Sequence, residues 1–108
     1  MSNKKKEYVS FEEIENKLRS EAIKEELGID AWLRDYINKP LIVKGIELAD
    51  RYVIIIAEYE GKTLRLASAS KIIFKKVKYL EKGIKMFGNV MIIPKLVKSK
   101  NGNEYLDI

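Results

Sequence analysis

The spacing of apolar residues changes period along this chain. Phe11, Ile14, Leu18 and Ala22 recur three or four positions apart, the interval that places side chains on one helix face. Ser10 and Glu13 just before and inside that run form a capping box, Val9 and Ile14 supply the flanking hydrophobic staple, and Gly28 offers the left-handed residue that ends helices. Asp30 is suited to cap a second short helix with Trp32, Leu33, Tyr36 and Ile37 on one side. Pro40 ends the helical region, because the residue before proline is driven toward extended geometry.

Beyond Pro40 the pattern reads as strands. Residues 41–48 are apolar with Lys44 and Glu47 interrupting, 52–59 are almost wholly β-branched or aromatic, and 62–67 alternate Thr63, Leu64, Arg65, Leu66. Glu60-Gly61 makes a tight turn between the last two. Helical spacing returns at Ile73, Val77 and Leu80, with Ser68 or Ser70 as cap, an expected end near Lys82 and Gly83 closing it. Lys71, Lys75, Lys78 and Lys82 fall on the side opposite that apolar face. Residues 90–97 form another apolar strand, in which Pro94 signals an edge or a bulge, and the Asn101-Gly102 turn leads into 104–108.

Three strands, a helix and two strands, β-β-β-α-β-β, are the order of a small five-stranded OB-fold-like barrel, so the expected class is mainly β with helices. The expected layout is a flexible basic arm over 1–9, a helical segment over 10–38 packed on the barrel, and the barrel over 39–108. With 108 residues, one core is expected.

Charge sharpens this picture. Residues 1–37 hold 7 basic and 9 acidic side chains, whereas 38–108 hold 14 and 7, a balance of +7 on the barrel segment. A surface of that sign attracts phosphate backbones; a lysine-rich solubilising surface has the same composition. Cysteine and histidine are absent, which removes thiolate chemistry, cysteine-ligated metals and the usual neutral-pH base. No phosphate-binding glycine loop is present and no nucleophile is paired with a base, so the expectation is a protein that is not an enzyme and holds no cofactor or metal. Glu12, Glu13 and Glu15, like Glu25 and Glu26, read as a solvated helix face interleaved with Lys17 and Lys24; a carboxylate-metal nuclease is the remote alternative. Abundant Lys, Glu and Ile without glutamine resembles thermophile composition, and also that of low-GC genomes. No apolar run spans a membrane and no secretory signal is evident, so an intracellular, cytoplasmic place is expected.

Single strands are held by base stacking on aromatic rings with cations tracking the phosphates. On an OB-like barrel the residues suited to this are Lys44, Arg51, Tyr52, Lys62 and Arg65 on the outward strand faces and first loop, and Lys98, Lys100 and Tyr105 at the last hairpin, with Tyr59 and Phe87 as further stackers. Each aromatic could equally be a half-buried core residue. Lys71, Lys75, Lys78 and Lys82 would make a second basic track. Trp32, Leu33, Tyr36 and Ile37 read first as packing for the helical arm, second as an oligomer surface, with direct nucleotide stacking by Trp32 third.

The runs Leu41-Ile42-Val43-Lys44-Gly45, Gly61-Lys62-Thr63-Leu64-Arg65-Leu66 and Lys100-Asn101-Gly102-Asn103-Glu104-Tyr105-Leu106 resemble, in pattern, small OB-fold single-stranded DNA-binding and replication-associated proteins of archaea and their viruses or plasmids. The resemblance implies a non-enzymatic, weakly sequence-selective binder of single-stranded nucleic acid, DNA favoured over RNA, sometimes oligomeric, and, for viral members, acting in an infected host cell. The N-terminal helical arm departs from that pattern. The rival expectation is a homo-oligomeric interaction scaffold or adaptor using the N-terminal helices.

Overall fold

The computed structural model describes residues 8–108, so most of the arm expected over 1–9 lies outside the described residues. In chain order the elements are α1 (Phe11–Leu27), β1 (Ala31–Trp32), a 3-10 turn (Leu33–Tyr36), β2 (Leu41–Ala49), β3 (Tyr52–Tyr59), β4 (Lys62–Ser68), α2 (Lys71–Phe87), β5 (Val90–Ile92), β6 (Lys95–Lys98) and β7 (Glu104–Asp107). The fold is mixed α/β: a five-stranded sheet in the order β1-β4-β3-β2-β5, a separate β6-β7 ribbon and two helices.

Alternation decides the sheet's two faces. Leu41 and Val43 on β2, Val53, Ile55 and Ala57 on β3, and Leu66 on β4 point to one side, where they meet Ile73, Val77 and Leu80 of α2 and form the main core with Leu33, Ile92 and Leu106. Ile54 and Ala67 point to the other side and pack with Ile29, Leu27, Trp32 and Ala49. A register shift at Val43–Gly45 on β2 leaves Lys44 outside the ladder, and the strand then resumes with Ile46 inward and Glu47 outward.

Local signals set the helix ends. Ser10 Oγ accepts from the Glu13 N–H at 3.1 Å, and Ser70 Oγ accepts from the Ile73 N–H at 3.4 Å. Gly28, at φ 66°, closes α1 with its N–H on Glu25 O while the Ile29 N–H reaches back to Lys24 O, a Schellman closure.

Four expectations are corrected. The sheet is not closed into a barrel: β7 pairs only with β6, and the edge of β4 is taken by β1 in parallel, Ala31 beside Leu66 and Trp32 beside Ala67. The expected second short helix is confined to the 3-10 turn Leu33–Tyr36 and is not capped by Asp30, which instead exchanges two bonds with the Arg65 backbone, each 2.8 Å. Those bonds lock β1 extended along β4. Gly83 does not end α2, which runs to Phe87 with Gly88 as its cap. A Cβ on Gly83 would lie 3.1 Å from Val90 Cγ2, so this glycine admits β5 close to the helix. Finally, Pro94 splits the expected strand 90–97 into β5, on β2, and β6, on β7.

Nor does the helical arm pack as a whole on the sheet. No residue of α1 is buried, and only its last turns touch the body. Trp32 lies on the opposite face of the sheet from Leu33, Tyr36 and Ile37, not beside them. No described helix is long and apolar enough to cross a membrane.

Candidate nucleic-acid interface

At the end of the sheet where β3 begins and β4 ends, seven elements surround a cleft of about 630 Å³. Trp32 (β1), Tyr52 (β3) and Tyr105 (β7) contribute rings, and Arg34 (3-10 turn) and Lys71 (α2) contribute cations. All three rings are half-buried, while Arg34 and Lys71 are exposed and carry no ion pair among the described residues. The Trp32 and Tyr52 ring centroids are 5.8 Å apart at 50°, a tilted pair. The Trp32 indole N–H donates to Ser20 Oγ of α1 at 2.9 Å, which orients the ring at the cleft wall.

The N-terminus of α2 opens on the same cleft. Ser70 Oγ donates to Leu106 O at 2.7 Å and ties helix to ribbon, while Ser68 Oγ accepts from the Ser70 N–H at 3.1 Å. α2 has no acidic residue in its first turn, and the carboxylate lining the cleft beside its positive dipole end is Glu104 of β7. From Lys71 a stripe continues through Lys75, Lys78 and Lys82, all exposed, and Lys85 extends it. The five lie within an arc of about 80° over a rise of about 21 Å. None has a carboxylate at ion-pair distance among the described residues.

The expected site residues divide among several places. Tyr52, Tyr105 and Lys71 meet in the cleft. Arg51, exposed, sits next to Tyr52 in the turn before β3. Lys44 and Arg65 do point away from the core, as alternation requires, but both are neutralised. Lys44 Nζ lies 3.2 Å from Glu58, and Arg65 grips Glu47 through both terminal nitrogens at 2.8 and 3.1 Å while its Nε donates to Gly28 O at 2.9 Å. That bond to Arg65 holds the Glu47 carboxyl below its usual range and raises the guanidinium in turn. Arg65 is thus a tie between α1, β4 and β2.

Tyr59 and Lys62 face each other across the β3–β4 turn, roughly 20 Å or more along the strands from the cleft. Tyr59 points to the core side, edge-on to Tyr36 at 5.4 Å, with Lys39 Nζ 5.7 Å from its ring centre. Phe87 is exposed at the far end of α2. Lys98 and Lys100 are exposed on the β6–β7 hairpin, whose turn at Gly102 (φ 85°) closes as the Asn-Gly pair predicts. Leu33 is fully buried, and Tyr36 and Ile37 pack against the same core.

Arg34, Ser20 and the orientation of Trp32 were not legible beforehand. Arg34 carries no local signal, and only the parallel pairing of β1 with β4 brings it beside Tyr52 and Lys71. Among the described residues no group of three carboxylates is placed to hold a metal ion. No protein-family model matches the chain, and neither a curated protein nor a solved structure is significantly similar to it.

Proposed function

We propose that this protein binds single-stranded nucleic acid, DNA in preference to RNA, without catalysing a reaction and with little sequence selectivity. The observation that carries the reading is the cleft in which Trp32, Tyr52 and Tyr105 stand beside the unpaired cations Arg34 and Lys71, continuous with the α2 lysine stripe. Rings of this kind stack on any base, and cations in line with them follow the phosphates. The element order from Leu41 onward and the pairing of β5 with β2 support an opened OB-like architecture, with β1 occupying the edge of β4. Within that reading the ligand path runs through the cleft and along α2, and bypasses the Lys44 and Arg65 face.

The chain's one tryptophan stands in the cleft, so it reports directly on occupancy. Unstructured DNA, RNA and duplex are titrated at low and high salt while Trp32 emission is followed. Quenching strongest with single-stranded DNA, and affinity falling steeply with salt, is the expected result. Tyr105→Ala should weaken binding by about 5- to 100-fold, the worth of one stacked base. A Trp32 signal indifferent to single strands at low salt would overturn the reading.

A further inference from the structure

α1 carries apolar residues on two sides: Ile23 and Leu27 turn toward the protein, and a second set turns away from it. At about 100° per residue, Phe11, Ile14, Leu18 and Ala22 form a stripe about 80° wide. The half-buried residues Ser20, Ile23, Lys24 and Leu27 lie almost diametrically opposite it. Phe11 is 76% exposed, Leu18 62% and Ile14 42%. A helix in water ordinarily turns its apolar stripe toward a core, and this stripe has none within its own chain.

The surroundings of the stripe indicate what covers it. Its flanks carry Glu15 and Glu26 on one side and Glu21 on the other, Glu25 continues the line of the stripe itself, and α1 as a whole has six acidic and three basic residues. α2 is its complement. It also has 17 residues, with six lysines against the single Glu81, and beside the lysine stripe it exposes Phe74, Tyr79 and Met86. Tyr79 and Met86 are 67% and 72% exposed.

The same chain cannot bring these helices together. α1 is anchored through Trp32–Ser20 and Arg65–Gly28 on the face of the sheet opposite α2. We propose that α1 of one copy docks on α2 of a second copy, its apolar stripe against Tyr79 and Met86 on one side of the lysines and the Glu15 and Glu26 flank against the lysines next to them. Pairing two α1 helices would also cover the stripe, but it sets a net −3 against −3, whereas α1 on α2 sets −3 against +5. Because two different surfaces meet, the contact is heterologous and forms a ring or a chain of copies. One helix-on-helix contact is small, so association is reversible and weakened by salt.

The test is complementation, followed by light scattering of the full chain over a concentration series without nucleic acid. Nucleic acid would compete for the same α2 lysines, so its absence lets the association be read apart from the nucleic-acid reading. One chain carries Phe11→Asp with Leu18→Asp, leaving only α2 competent; the other carries Lys75→Glu with Lys78→Glu, leaving only α1. All four positions are exposed, and circular dichroism checks that both chains fold; if the first loses helix, Glu25→Lys with Glu26→Lys replaces it. The parent should gain mass with concentration, each variant alone should associate at least about tenfold more weakly, and their mixture should form a one-to-one pair. A parent that stays monomeric, a lysine variant that still self-associates as paired α1 helices would, or a mixture that fails to combine would each overturn the proposal.

Discussion

Two carboxylates, Glu47 and Asp107, sit below their ordinary ionisation range for different local reasons. Glu47 is lowered by its hydrogen bonds from Arg65. For Asp107 burial works the other way, but it is outweighed by the Lys76 ammonium at 2.6 Å and the Ile108 N–H at 2.8 Å. A carboxyl whose folded value lies below its unfolded one stabilises only while ionised. Its contribution is complete above the unfolded values, 4.5 for Glu47 and 3.8 for Asp107, and is lost as pH falls through the lowered folded ones. Urea midpoints of the parent should therefore exceed those of a Glu47→Gln, Asp107→Asn double variant at neutral pH and converge with them in strong acid. A gap that persists at low pH would mean that the substitutions act through packing. At this scale the outward direction of Arg65 and Lys44 was readable from the two-residue period, but their carboxylate partners were not, since Glu47 and Glu58 come from other strands.

The helices and strands were largely visible as elements, and their errors share one cause. Gly83 looked like a helix stop because glycine is a poor helix former and a good cap, yet the helix continues through it. Its small size serves the approach of Val90, a tertiary demand that a local rule does not weigh. Gly83→Leu, although better in intrinsic helix propensity, should push β5 from α2 and cost about 1–3 kcal/mol of unfolding free energy, read from denaturant melts. A gain in stability would show that Val90 is not in firm contact. Pro94 read as an edge or a bulge and instead separates two strands, whereas the cap residue Ser10 marked the start of α1 without saying whether the helix would find a core.

The main core, like the smaller cluster on the other face of the sheet, draws on elements far apart in sequence. Leu33 is the clearest case: it follows the two-residue strand β1, is fully buried, and packs among sheet and helix residues from 41 to 106. Leu33→Ala should cost about 3 kcal/mol, measured by urea unfolding, with loss of cleft geometry because Trp32 and Arg34 flank it. Near-parent stability would mean that the β1 segment is only loosely attached. The cleft depends on the same assembly: its rings and cations come from positions 32, 34, 52, 71 and 105, and only 32 and 34 are near neighbours in sequence.

The two long helices, the three strands between 41 and 68 and the outward direction of Lys44 and Arg65 followed from the sequence alone, because they depend on neighbours within a few residues: period, caps, glycine and proline geometry. Which edge pairs with which was decided only in the folded whole. The parallel docking of β1 on β4, the separation of the β6-β7 ribbon, the ion pairs that neutralise Lys44 and Arg65, and the outward-facing stripe of α1 all weigh one long-range partner against another. Such choices rest on free-energy differences of the assembled chain, which no local pattern encodes.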